Sequence, residues 1–221
     1  MSSSTLLSTK TLSLPQKELL LNSGLGFVDY DAIKIELLED FDFRQTEDIS
    51  NVIFTSKNAV KAVLKSEISI SNCFCVGNST KTLLEENGQK VLEIAQNASE
   101  LAQIIVKKYK NTSFSFFCGN LRRYELPEIL KTHNVALKEY IVYKTHQNIK
   151  KFGRFFEGVL FFSPSGVQSY MTENSLEKSM AFCIGTTTAS ELEKYTNNII
   201  IANKPTVENV IVQAVKYFNQ K

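Results

Sequence analysis

Short apolar runs that stop at Gly, Ser or Thr and lead into longer amphipathic stretches recur along the chain. Val52-Ile53-Phe54 runs into Thr55-Ser56, after which Ala59, Val60, Val63 and Leu64 follow at helical spacing. Cys73-Phe74-Cys75-Val76 stops at Gly77, ahead of a helical stretch with Leu83 and Leu84. Phe114 to Cys118 stops at Gly119-Asn120, and Ile129 and Leu130 carry a helix past Pro127. Val159 to Phe162 stops at Ser163-Pro164-Ser165-Gly166, and Ala181 to Ile184 stops at Gly185 with Leu192 on the helix beyond. Uninterrupted apolar strands belong to sheets buried on both faces, and strands that feed helices make βα units with parallel pairing. The expected class is α/β.

An internal repeat divides the chain. Ile53-Phe54-Thr55-Ser56-Lys57-Asn58-Ala59-Val60 aligns with Leu160-Phe161-Phe162-Ser163-Pro164-Ser165-Gly166-Val167, 107 residues on. Phe74 to Thr80 aligns with Phe182 to Thr188 at an offset of 108, and Asn97 to Leu101 aligns loosely with Thr206 to Val210 at 109. Such a period is too long for a solenoid, whose units run to roughly 20–50 residues. It predicts two similar doubly wound parallel-sheet domains of flavodoxin-like type. The part from Val159 onward is too short for a whole domain. The N-terminal piece, with a short strand at Leu6-Leu7, a helix through Leu19-Leu20-Leu21 and an extended segment at Phe27-Val28, is expected to complete it. Residues 1–33 with 148–221 then form one discontinuous domain and 38–139 an inserted one, joined by two linker strands at 34–37 and 140–147.

Composition narrows the classes of function. In 221 residues, 43% hydrophobic and 22% charged, Lys plus Arg is 25 against 23 for Asp plus Glu. A net charge of +2 lacks the basic footprint of a nucleic-acid binder. No apolar run approaches the ~20 residues of a spanning helix, so no membrane role is expected. Met1 to Pro15 is Ser/Thr-rich without a basic start or an apolar block, so no secretory signal is expected and the location is read as cytoplasmic. Cys73, Cys75, Cys118 and Cys183 sit in apolar stretches without metal-ligand spacing, and read as small buried hydrophobes in a reducing compartment. His133 and His146 are the only histidines, so metal or histidine-based nucleophilic chemistry has little material. Neither a phosphate-binding nor a dinucleotide-binding glycine motif occurs, and no cofactor is expected.

In open α/β sheets ligands bind beyond the carboxyl ends of the strands, where helix N-termini offer backbone N–H groups. Five strand-to-helix turns lie there: Thr55-Ser56-Lys57-Asn58, Gly77-Asn78-Ser79-Thr80, Gly119-Asn120-Leu121-Arg122, Ser163-Pro164-Ser165-Gly166 and Gly185-Thr186-Thr187-Thr188. Any one of them is also an ordinary helix cap. Together, rich in hydroxyls and amides and poor in charge, they suit a ligand with several carboxylates held by neutral hydrogen bonds and helix dipoles.

These same stretches, with Cys118-Gly119-Asn120-Leu121-Arg122-Arg123, Leu126-Pro127, Val142-Tyr143-Lys144-Thr145, Ile184-Gly185-Thr186-Thr187-Thr188-Ala189 and Pro205-Thr206, resemble the uroporphyrinogen-III synthase family from about residue 5 to the C-terminus. The resemblance implies two α/β domains with a two-stranded linker and no cofactor or metal. Its implied activity is that of a hydro-lyase, which closes hydroxymethylbilane into uroporphyrinogen III with loss of water and inversion of ring D through a spiro intermediate. It also implies a monomer, with hydroxymethylbilane synthase, the preceding enzyme, as a transient contact. Tyr143 matches the family's tyrosine proposed to assist departure of the hydroxyl. On its residues alone it reads first as a linker side chain packing between the domains with its OH satisfied locally. Implied carboxylate ligands are Lys10, Thr55, Ser56, Asn58, Gly77, Asn78, Ser79, Thr80, Gly119, Asn120, Ser163, Ser165, Gly166, Gly185, Thr186, Thr187 and Thr188. The chain departs from the family where Thr9-Lys10 replaces an Arg, where Phe162-Ser163 replaces a Thr-Ser pair, and at Ile94 or Ala95, where some members carry a hydroxyl. Arg122-Arg123 invites a carboxylate-clamp reading that sequence does not apportion between the two. The alternative is a non-catalytic cytoplasmic binder or sensor of small polycarboxylates on the same scaffold.

Overall fold

A computed structural model of the chain describes residues 4–39, 49–66 and 68–220. In chain order its elements begin with β1 (Thr5–Ser8), α1 (Leu14–Leu21), β2 (Gly26–Asp29) and β3 (Ile33–Leu37). There follow β4 (Asn51–Phe54), α2 (Lys57–Lys65), β5 (Asn72–Val76), α3 (Asn78–Glu86), β6 (Val91–Ala95), α4 (Ala98–Lys108), β7 (Phe114–Gly119), α5 (Glu125–Thr132) and β8 (Leu137–Gln147). The chain closes with β9 (Gly158–Phe161), α6 (Pro164–Met171), β10 (Met180–Cys183), α7 (Thr186–Leu192), β11 (Ile199–Ile201) and α8 (Val207–Asn219).

Two compact units result, Met1–Lys34 with His146–Lys221, and Ile35–Thr145. The first holds a sheet in the order β11-β10-β9-β1-β2, and every pair β1–β2, β1–β9, β9–β10 and β10–β11 is parallel. The second sheet has the order β3-β8-β7-β4-β5-β6, with β4–β5, β4–β7, β5–β6 and β7–β8 parallel.

Strands of continuous apolar sequence supply side chains alternately to two cores. In the first unit Val159 and Phe161 face Val167, Ala189 and Leu192 of α6 and α7, while Leu160 and Phe182 face Leu20, Val210 and Ile211 of α1 and α8. In the second, Val52 and Phe54 meet Val60, Val63 and Leu84 of α2 and α3, while Ile53 and Phe74 meet Leu101, Ile105 and Leu130 of α4 and α5. Each fully buried Phe or Leu contributes ~1.5–3 kcal/mol of transfer free energy, which makes these two-faced strands the chief source of stability. Gly158 is fixed by the same packing. A Cβ there would stand 2.8 Å from Leu6 and 3.0 Å from Phe182 and Phe218.

One expected turn differs. Gly119-Asn120-Leu121-Arg122 opens no helix directly, because α5 starts at Glu125 behind Tyr124. The carbonyl of Gly119 instead accepts from the Arg122 N–H, and the Asn120 N–H donates to the Tyr143 carbonyl, which folds the segment back along β8.

Candidate functional site

Parallel strands end on one edge of each sheet, so the candidate residues gather by unit. In the second unit Ser56 is extended (φ −151°) and its Oγ accepts from the Asn58 N–H at 3.1 Å, capping α2. Gly77 caps α3 at φ +83° and ψ 142°, a conformation open essentially to glycine alone. Thr55, Ser56 and Asn58 are half-buried, Asn78 and Ser79 exposed, and Thr80 buried.

Tyr143 lies at this edge, partly buried against the core of Val52, Phe54 and Val142. Its phenol lies beside the Ser56 hydroxyl; burial pushes its pKa above the usual 10, and Ser56 opposes that rise. The β7–β8 ladder is irregular here, pairing Cys118 with Ile141 and then Gly119 with Tyr143. Gly119 lies beneath the ring, and Asn120 lends its side-chain oxygen to the Thr145 N–H at 2.8 Å. Arg122, half-buried, pairs with Glu139 and stacks on Tyr124 at 4.9 Å. Glu139 raises its pKa further, while Arg123 is exposed.

In the first unit Ser163 is extended (φ −164°) and its Oγ accepts from the Gly166 N–H at 3.1 Å, capping α6. Ser165 is half-buried and Gly166 buried. Gly185 caps α7 in an extended backbone, with Thr186 and Thr187 exposed and Thr188 buried. Lys10 is exposed on a tightly held loop. The Thr9 hydroxyl donates to the Leu160 carbonyl at 2.8 Å and the Ser8 hydroxyl to the Lys10 carbonyl at 2.5 Å. Asp31 accepts from the Thr11 N–H and hydroxyl, and Asp29 accepts from the Leu12 N–H and pairs with Lys17 at 3.0 Å.

Sequence reasoning missed these acids. Asp29, Asp31 and Glu139 lie 17 to 20 residues from the loop groups they hold, so no local motif marks them. These three carboxylates are thereby engaged by the protein itself. Helix N-termini carry the same logic. First turns of α1, α2, α3, α6 and α7 hold no acidic residue, whereas α4 carries Glu100, α5 Glu125 and Glu128, and α8 Glu208. An unneutralised N-terminus favours an external anion, and one with its own Glu is already satisfied.

All four cysteines are free and buried, with Cys73 and Cys118 pushed up to about 12 and Cys75 and Cys183 to about 11, chiefly by burial. Among the described residues no three His, Cys, Asp or Glu side chains gather to hold a metal ion, and no helix is long and apolar enough to cross a membrane.

A family model described as uroporphyrinogen-III synthase HemD matches residues 19–211. The crystal structure of uroporphyrinogen-III synthetase from Helicobacter pylori 26695 superposes with a TM-score of 0.73 at 18% identity, over 97% of this chain and 99% of that one. A mutant uroporphyrinogen III synthase from the extremely thermophilic bacterium Thermus thermophilus gives 0.65 at 10% identity, over 99% of both chains. At these identities the structures attest the shared two-domain α/β fold, and the family model attests the family.

Proposed function

The chain belongs to the uroporphyrinogen-III synthase family, lyases of heme biosynthesis that act on hydroxymethylbilane, and from that premise we propose how its own residues carry out the reaction. Carboxylates of the linear tetrapyrrole are held by the turns Thr55-Ser56-Lys57-Asn58 and Gly77-Asn78-Ser79-Thr80 in one unit. Ser163, Ser165, Gly166 and Gly185-Thr186-Thr187-Thr188 serve in the other, with Lys10 as a point charge. One observation carries this reading: the helices that open at these turns, α2, α3, α6 and α7, have no acidic residue in their first turns, while α4, α5 and α8 supply their own Glu and α1, which has none, binds Glu208 through its Gln16 side chain. Exposed hydroxyls at Ser79, Thr186 and Thr187 add neutral donors.

The chemistry then needs little from the protein. A pyrrole nitrogen lone pair expels the hydroxyl as water to give an azafulvene. Ring D attacks through its substituted α-carbon, the spiro intermediate fragments and recombines with ring D inverted, and a proton leaves. Tyr143, a neutral phenol at neutral pH, donates a hydrogen bond or proton to the departing hydroxyl. Residues 1–33 with 148–221 and residues 38–139 act as the two domains, with 34–37 and 140–147 as connecting strands. The division of the chain at Lys34/Ile35 and Thr145/His146 supports this assignment. The protein works in the cytoplasm as a monomer, without cofactor, and meets hydroxymethylbilane synthase transiently.

The test couples the purified protein to an enzymatic source of hydroxymethylbilane, oxidises the products and separates the type-I and type-III isomers. Type III that depends on the protein is the expected result. Type I alone, from folded protein, would leave a binder of the substrate without the activity.

A further inference from the structure

We propose that Gly119 and Ser56 are positioning residues for Tyr143, the first as the floor on which its ring rests and the second as the donor that turns its phenol proton toward the substrate. The inference rests on the reading of Tyr143 as the donor to the departing hydroxyl. It reassigns Gly119 and the Ser56 hydroxyl from carboxylate binding to the support of Tyr143, and leaves the rest of the Thr55-Ser56-Lys57-Asn58 turn to the substrate.

Gly119 is not a glycine by backbone need. Positive φ values occur at Gly24, Gly77 and Gly88 and not at Gly119. What excludes a side chain is the tyrosine, because a Cβ at Gly119 would overlap the ring and stand 2.8 Å from the phenol oxygen. The ring reaches this place through the irregularity in β8 that sets Tyr143, rather than Val142, opposite Gly119. In strands such a bulge re-aims one side chain, and it is frequent beside active sites. The Asn120 side chain then holds the next segment by accepting from the Thr145 N–H.

Ser56 closes the arrangement. Its oxygen already accepts the Asn58 N–H at the start of α2. Donation of its own proton to the phenol oxygen gives an unbroken sequence of donors, from Asn58 N–H to Ser56 Oγ–H to Tyr143 Oη–H. Each bond polarises the next, and the last proton is free for the substrate.

The test measures kcat and KM for type-III formation in Ser56→Ala, Ser56→Thr, Gly119→Ala, Tyr143→Phe and Ser56→Ala/Tyr143→Phe, with melting curves to establish folding. The phenol is titrated in protein labelled at tyrosine Cζ, with its resonance assigned by Tyr143→Phe. Ser56→Ala is expected to lower kcat about tenfold with KM within about twofold, to recover in Ser56→Thr, and to cost nothing further beside Tyr143→Phe. Its Tyr143 resonance should titrate at higher pH than in the wild type, because a donor to the phenolate is gone. Gly119→Ala should shift the same resonance and fall to the rate of Tyr143→Phe. Should Gly119→Ala fail to fold, recovery of folding in Gly119→Ala/Tyr143→Ala would carry the same conclusion. A Ser56→Ala effect confined to KM, additive with Tyr143→Phe and without change in the titration, would overturn the positioning role. A wild-type rate in Tyr143→Phe would instead overturn the reading beneath it, whatever the titration shows.

Discussion

The two units are the same domain wound from different starting points. Ile35–Thr145 runs β4-α2-β5-α3-β6-α4-β7-α5-β8, and its five parallel strands lie in the order β8-β7-β4-β5-β6. The other unit has the order β2-β1-β9-β10-β11, which corresponds strand for strand, but its chain enters at β1-α1-β2 and returns for β9 to α8. It is a circular permutation of the first. Their registers agree as well. Leu160 pairs with Ser8 and Ser8 with Asp29, where Ile53 pairs with Phe116 and Phe116 with Glu139. Both acids pin the loop behind the preceding strand, Asp29 through the Leu12 N–H and Lys17, Glu139 through Arg122. The difference comes after that point. β2 ends at Asp29, whereas β8 continues to Gln147 and bears Tyr143 on Gly119. Duplicated scaffold thus supplies duplicated helix-capping turns, and the group proposed for the chemistry sits in one copy alone.

Matched substitutions sharpen this comparison, because cysteine reports each unit separately. Cys183 is buried in one, and Cys73, Cys75 and Cys118 in the other. Phe161→Ala and Phe54→Ala, at equivalent positions and almost fully buried, should each cost about 3–5 kcal/mol. Timed labelling with a thiol reagent and mass mapping should show Cys183 exposed first in the former and the other three in the latter. Gly158→Ala, crowding Leu6, Phe182 and Phe218, should cost about 1–3 kcal/mol, while Asn51→Ala at the matching place in β4 should stay within about 1 kcal/mol in urea denaturation. Loss of a cap separates site from scaffold. Ser163→Ala and Thr206→Ala should each cost about 1 kcal/mol, and Ser163→Ala alone should also raise KM.

The smallest effects are electrostatic. Lys108 lowers the Glu93 pKa in one unit and the Gln16 side chain lowers that of Glu208 in the other. A depressed carboxylate pKa stabilises the fold above the unfolded value near 4.3, and that contribution fades as pH falls through the folded value. Glu93→Gln and Glu208→Gln should therefore each lower stability at pH 7 by a few tenths of a kcal/mol, about what exposed pairs contribute, and have no effect at pH 2.

Strands β4, β5, β7, β9 and β10 were legible because burial on both faces leaves few polar positions to blur them, Asn51, Asn72 and Ser115 being the exceptions. β6 and β11 stand at sheet edges, half-buried, with Glu93 inside one and only three residues in the other, and the apolar pattern does not mark them. Caps at Ser56, Ser163, Asn97 and Thr206 follow from local hydrogen bonds and so stand in the repeat itself. The surroundings of Tyr143 were not legible. They depend on a register shift and on contacts across 24 and 87 residues, to Gly119 and Ser56, and no local pattern encodes either.

In the proposed reaction both units bind the substrate while only the β8 edge assists water loss. Single-turnover formation of type III at saturating hydroxymethylbilane, in Tyr143→Phe against Ser163→Ala, tests it most directly. A maximal rate reduced in Tyr143→Phe and kept in Ser163→Ala is the predicted result. Equal maximal rates in Tyr143→Phe and the wild type would contradict it.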